Sequence, residues 1–396
     1  MTALERRASF SLASIFALRM LGLFLILPVF AIEAAHYPGG DDPAMIGLTM
    51  GMYGLTQAML QFVYGWASDR LGRKRVIVFG LLVFAAGAVI AAVAPNLTWL
   101  AIGRAVQGAG AVSAAVTALL ADQTREVVRT KSMALIGITV GLMFALSLVV
   151  APPLAASIGL VGIFAMTAVL ALLGVASVLW WVPAEPLQHK NQPKGLVSEV
   201  LRSPALFRLN FGVFVLHAVQ LAMWLALPAM LVQAGLAHDR HWLVYLPAVL
   251  GSFVMMGGSL FQLERRGYLR GVFLISIGLA ALVQLGLWSQ VDASPSLGML
   301  GALIFVFFYG FNVLEASQPS IVTRLAPTGC RGSAIGVYNT LQSLGLFAGG
   351  VGGGWLMRHG GAHSLFSACA ALMLLWLVVA WPMAPIEGRT PELKAG

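Results

Sequence analysis

The apolar positions of the chain fall into long runs separated by short polar breaks. A membrane-spanning helix needs about 20 mostly apolar residues. Twelve runs meet that need, near 11–32, 45–66, 76–94, 97–121, 132–155, 159–182, 206–232, 242–262, 271–291, 297–322, 333–356 and 363–384. A bilayer offers no partner to a loose backbone amide, so each run predicts a helix. The first run follows Arg6 and Arg7 as a signal peptide would, but it is too long for a cleaved apolar segment and Arg19 interrupts it. It therefore reads as the first span.

The longest polar connection, with Glu185, His189, Lys190, Asn191, Gln192 and Lys194, divides the chain. This predicts a six-helix bundle over 1–183, a linker over 184–205 and a second six-helix bundle over 206–396. The halves share faint similarity. Lys131-Ser-Met-Ala-Leu-Ile-Gly137 opens the fifth run and Arg331-Gly-Ser-Ala-Ile-Gly336 the eleventh, and each half has a basic segment between its second and third runs, Asp69 to Arg75 and Glu264 to Arg270. Duplicated helical halves recur in transporters, with the substrate site between them.

Charge fixes an orientation. With the N-terminus cytoplasmic, 20 of the 24 Lys and Arg lie in cytoplasmic segments; only Arg240 and Arg358 lie opposite, and Arg19 and Arg104 fall inside runs. That bias places both termini inside. Composition agrees: 10% of residues are charged and 59% hydrophobic, against about 25% charged in a soluble chain. The net charge of +9 therefore reflects topology rather than nucleic-acid binding. Cys330 and Cys369 give neither a disulfide framework nor metal-ligand spacing.

Three patterns carry chemistry. The first is Gly65-Trp-Ala-Ser-Asp69-Arg70-Leu-Gly72-Arg73-Lys74-Arg75, between the second and third runs. Gly65 would admit a neighbouring helix, Asp69 would suit a helix N-terminus, and Arg73 could pair with Asp122. The second is Arg104-Ala-Val-Gln107-Gly108; Arg104 and Gln107 share a helix face, and a charge inside a span marks a functional site. The third is the fifth run, whose Ser147, Ala151, Pro152, Ala155 and Ala156 suit close helix packing and a kink at Pro152.

Polar residues inside the other runs suggest a cavity lining. Thr49, Tyr53, Gln57 and Gln61 recur every four residues. His217, Gln220 and Trp224 share one face, Asn312 and Glu315 another, and Tyr338, Asn339 and Gln342 lie on the eleventh run. Glu315 is the carboxylate placed well inside a run of the second half, among Val313, Leu314 and Ala316, which suits a proton carrier or a partner for Arg104. No HExxH, GxSxG or paired intramembrane aspartates argue for an enzyme.

The 65–75 segment resembles the GxxxDRxGRK signature of the major facilitator superfamily, and Arg104-x-x-Gln107-Gly108 resembles that family's helix-4 motif. Ser147-x-x-x-Ala151-Pro152-x-x-Ala155-Ala156 resembles its antiporter GxxxGPxxGG motif with Ser or Ala at every glycine. Gly22 with Leu27-Pro28-Val29 looks like helix 1 of the drug:proton antiporter branch. Asn312-Val-Leu-Glu315 and Arg331-Gly-Ser-Ala-Ile-Gly336-Val-Tyr338 look like the YajR type within it. That type usually continues into a small cytoplasmic domain; the chain stops at Gly396, so the domain is expected to be absent.

The resemblance implies an all-α polytopic membrane protein of two six-helix bundles, working by alternating access. Gly65, Asp69, Arg70, Gly72, Arg73 and Lys74, with Asp122, would form a latch between the halves that stabilises the outward-facing state. Glu315 and Arg104 would serve proton coupling. Tyr53, Gln57, Gln107, His217, Gln220, Trp224, Asn312, Tyr338 and Asn339 would line the substrate cavity. The expected protein is a monomeric inner-membrane exporter of small amphipathic compounds, with the proton as coupling ion and no cofactor or metal. A metabolite or sugar transporter of the same fold is the alternative.

Overall fold

A computed structural model describes residues 1–110, 112–185, 197–292, 296–327 and 330–384. Lys190, Lys194, Arg389 and Lys394, and the side chains of Arg129, Glu264 and Arg265, lie outside the described residues. Within them the chain is helical. The helices are α1 (Ala3–Phe24), α2 (Phe30–Ala34), α3 (Pro43–Leu71), α4 (Arg73–Ala92), α5 (Leu97–Ala109), α6 (Ser113–Asp122) and α7 (Glu126–Trp180). They continue with α8 (Val197–Arg202), α9 (Pro204–Gln233), α10 (Trp242–Arg265), α11 (Leu269–Ser289), α12 (Leu297–Leu325) and α13 (Arg331–Ala380).

Two elements look too long. α7 has 55 residues and α13 has 50. Straight, each would reach about 75–83 Å, more than twice the ~30 Å hydrocarbon core. Each turns back at one glycine, Gly159 (φ 62°) and Gly361 (φ 63°). A positive φ favours glycine, and the two turns lie about 200 residues apart, as the repeat predicts. Counting each as two limbs, the spans number twelve. α3 alone among the long helices falls just short in hydropathy, because it carries Thr49, Gln57 and Gln61.

Other runs break where a backbone group cannot continue. The first splits at Leu25–Val29 around Pro28, which has no N–H to give. The fourth splits near Gly110, which lies against α4 at the Gly80 carbonyl and Phe84. Caps set the entries: Asp42 accepts from the Ala44 amide at 2.9 Å and Asn96 from the Trp99 amide at 3.0 Å. The 65–75 segment is not a loop. α3 runs to Leu71 and α4 starts at Arg73, leaving Gly72 (φ 99°) as the corner between them.

Within the first half α1 and α4 pack on α7, and α5 lies on α3 and α4. Within the second, α9 and α11 pack on α13, and α10 and α11 on α12. The halves meet between α3 and the first limb of α13, and between α7 and α10. The α3–α13 contact occupies the end away from the basic segments, here the distal end. It runs from Pro43 and Gly354 down to Gly54 and Ser343, and there the backbones touch. A Cβ added at Gly47 would overlap the Gly350 carbonyl, and one at Gly51 would meet the Phe347 carbonyl. Arg358 Nη1 donates to Asp42 Oδ2 at 2.9 Å across the same end. α8 lies inside the expected linker, with Val200 buried in the second-half core and the Cys330 thiol donating to Glu199 Oε2 at 3.4 Å.

Candidate functional site

At the basic end, Arg73 gathers three partners: Asp69, one turn back on α3; Asp122 Oδ2 at 3.0 Å; and the Ser68 hydroxyl at 2.7 Å. The α4 N-terminus takes its carboxylate from Glu185, not from Asp69. Glu185 accepts from the Arg73 and Lys74 amides, where the helix dipole favours an anion. Lys74 Nζ donates to the Val182 carbonyl at 2.7 Å and the Gln123 amide to that of Pro183 at 3.0 Å. Residues 184–185, expected in the linker, are thus fixed to the first half. Burial lowers the Lys74 ammonium, an effect Glu185 opposes. Arg70 stacks over Trp66 at 4.2 Å. A Cβ added at Gly65 would lie 4.0 Å from that of Ala114, an ordinary contact, so close helix approach does not demand glycine there. Nearby, Arg125 binds Glu5 at 2.7 Å and holds its carboxyl well below the usual carboxylate range.

These partners of Arg73 all belong to the first half, and the α3–α13 contact between the halves lies at the opposite end. Asp69→Asn or Arg73→Ala is expected to lower transport roughly fivefold, the effect of shifting a two-state balance by ~1 kcal/mol, with expression little changed. Spin-label distances between the halves check this. Unchanged distances together with full transport would leave the motif a topology signal.

The interior of the first half holds two buried guanidiniums, with Arg19 1% and Arg104 2% exposed. Arg19 was legible only as an interruption of the first run. The fold brings it to Ser113 Oγ at 2.8 Å, the Tyr53 hydroxyl at 2.6 Å and Gln57 Oε1 at 3.5 Å. Arg104 donates to Gln107 Oε1 at 2.9 Å and lies over the Tyr53 ring at 4.9 Å. It does not pair with Glu315. Gly108 sets this geometry, because a Cβ there would overlap the Tyr53 carbonyl and hold α5 off α3. Even on a lenient scale each buried charge costs about 2.5–3.5 kcal/mol.

The interior of the second half holds a three-membered chain. His217 Nδ1 donates to the Val213 carbonyl at 3.0 Å, which leaves Nε2 as acceptor for the Gln342 amide at 2.7 Å. The same amide group reaches Glu315 Oε1 at 3.3 Å, and Glu315 Oε2 lies 3.5 Å from His217 Nε2. The Glu315 side chain is 37% exposed, so it is not enclosed by the apolar neighbours its sequence suggests. Asn339 is half-buried.

Other expected lining residues make local contacts. Asn312 donates to Ser252 at 2.9 Å, Tyr338 to Gln318 at 3.4 Å, and Trp224, fully buried, packs edge-on against Tyr245. Gln220 is buried. Thr49 bonds its own helix at the Met45 carbonyl. Of the 147–156 stripe, Ser147, Ala151, Pro152 and Ala155 are buried and Ala156 is exposed. Its helix, α7, faces α10 and the His238–Arg240 turn.

The Major Facilitator Superfamily profile matches residues 12–350 and 262–396. The chain is 41% identical to the inner membrane transport protein YajR of Escherichia coli (strain K12), over 97% of this chain and 84% of that protein. It is 27% identical to the multidrug resistance protein MdtH of Aeromonas hydrophila, over 85% of this chain and 84% of that one. The structure of the nucleoside transporter NupG matches with a TM-score of 0.75 at 15% identity, covering 95% of this chain and 99% of that chain. At that identity the likeness concerns the fold.

Proposed function

Because the chain belongs to the Major Facilitator Superfamily, a family of membrane transporters, we propose that it is a proton-coupled exporter of small amphipathic compounds. In this reading it resides in the inner membrane as a monomer with both termini cytoplasmic, and it exchanges proton for substrate by alternating access between its halves. The observation that carries the reading is the His217–Gln342–Glu315 chain. It sets a titratable carboxyl, its side chain 37% exposed, beside a buried imidazole in one half of the molecule. A carrier needs that access, since it must load a proton from one side and release it to the other. The Lys and Arg bias supports the orientation, and the relatives named for multidrug resistance and inner-membrane transport support export of drug-like solutes.

The test is flux in proteoliposomes under an imposed pH gradient, with a panel of amphipathic compounds and an internal pH dye. Substrate movement should follow the gradient and reverse with it, with proton movement opposite in sign. Flux of a panel compound that ignores the gradient would reject proton coupling. Proton and substrate moving in the same direction would reject exchange.

A further inference from the structure

The first-half interior holds more positive charge than its own residues answer. Every carboxylate of residues 1–185 sits at a helix end: Glu5, Glu33, Asp41, Asp42, Asp69, Asp122, Glu126 and Glu185. Arg19 and Arg104 lie in mid-helix and have only neutral partners among the described residues: two hydroxyls and two amides by hydrogen bond, and the ring faces of Phe84 and Tyr53. Both are joined through one residue, since Tyr53 gives its hydroxyl oxygen to Arg19 and its ring face to Arg104. The Nε–H of each arginine is buried without an acceptor. The hydroxyls of Tyr53 and Ser113 accept from Arg19, and their own protons have no acceptor among the described residues. Donors thus converge without a matching acceptor. Arg19 and Tyr53 are 1% and 2% exposed, and the half-buried Gln57 and Ser113 form the accessible edge of the cluster.

A buried cation is tolerated when a counter-charge or full hydrogen bonding answers it. Arginine hydrogen-bonds carboxylate, sulfonate and phosphate oxygens through a planar fork of donors. We infer that the Arg19–Tyr53–Ser113 cluster, backed by Arg104, binds the anionic group of the transported compound, so that the cargo is an amphipathic organic anion. The inference rests on reading this interior as the transport path. Export agrees in sign, because an inside-negative potential drives an anion outward.

The test uses three compounds of one shape: 4-phenylbutyrate, 4-phenylbutylamine (a cation at pH 7) and 4-phenylbutanol. Equilibrium binding to the purified full chain is measured for each. The anion should bind at least roughly tenfold more tightly than the other two, the worth of one charge-assisted contact. Arg19→Gln should remove that preference. Tyr53→Phe and Ser113→Ala, which delete single hydroxyls and keep the guanidinium, should weaken anion binding several-fold, and they stand as tests if Arg19→Gln does not fold. Equal or tighter binding of the amine or the alcohol, no binding of the anion by about 10 mM, or an anion preference that survives Arg19→Gln would each overturn the inference. Flux separates this outcome from the exporter reading. Proton-driven export of the amine without anion binding sinks the anion site alone. Anion binding without proton-driven flux leaves the site and removes the coupling.

Discussion

Glu315→Gln is expected to abolish transport driven by a pH gradient while leaving substrate binding in place. The change keeps the shape of the side chain and its hydrogen bond to Gln342 but removes the titrating proton. In the present arrangement Glu315 Oε1 accepts from Gln342 at 3.3 Å, and Gln342 also donates to His217 Nε2 at 2.7 Å. A proton placed on Glu315 or on His217 therefore reorders the same three groups, and substrate binding should lose its pH dependence in the variant. The competing view makes Glu315 a structural partner. Its ion-pair form with Arg104 finds no support, since Arg104 bonds Gln107. What remains is the hydrogen bond from Gln342, worth about 1 kcal/mol, and the 3.5 Å contact with His217, so on that view Glu315→Gln would lower thermal stability slightly and leave coupling alone. Proteoliposomes with an internal pH dye separate the two. A variant that still moves protons and substrate at the wild-type ratio is not missing its carrier. His217 would then be next, followed by an acid near a helix end such as Glu33 or Asp122.

What was legible in the sequence follows from the kind of signal each feature leaves. Span lengths, the two-half repeat and the basic segments are properties of contiguous residues, and the bilayer imposes them directly. Contacts between helices leave no such trace. The four-residue repeat Thr49, Tyr53, Gln57, Gln61 reads as one polar stripe, yet Thr49 bonds its own helix while Tyr53 and Gln57 turn to Arg19. Arg19 carried a signal, a charge in an apolar run, but nothing along α1 says that Tyr53 and Ser113 will meet it. Gln342 entered as one of several polar residues on its run, and its place between His217 and Glu315 needs three helices to be seen. Glu185 looks like a solvated linker residue until the end of α7 returns it to the α4 N-terminus. Small residues at helical spacing drew attention to 147–156, whereas the backbone contact between the halves is made by Gly47 with Gly350. A stripe of small residues marks a packing face, and only the partner helix decides which stripe joins the halves.

Gly350→Leu is expected to stop turnover by preventing closure of the distal end. In the arrangement described here a Cβ at Gly350 would overlap the Gly47 carbonyl and crowd the backbone of Gly51. The obstacle is main chain on a packed helix, which cannot rotate away as a side chain can. α3 and α13 would have to separate along their contact, giving up the packing from Pro43–Gly354 to Gly54–Ser343. Once the halves part at that end the leucine has room, so the protein should still fold, held in the state open distally. The Asp42–Arg358 pair spans the same end at 2.9 Å, but its side chains are 27% and 56% exposed. An exposed pair contributes about 0–1 kcal/mol, so Asp42→Asn should shift the open-to-closed ratio by no more than roughly fivefold. Backbone contact therefore outweighs the ion pair as the element that closes this end. Spin labels on the distal ends of α3 and α13 should show Gly350→Leu confined to the longer distance, with transport lost, and Asp42→Asn retaining both distances. A Gly350→Leu protein with wild-type distances and wild-type turnover would mean that the two helices need not touch during the cycle.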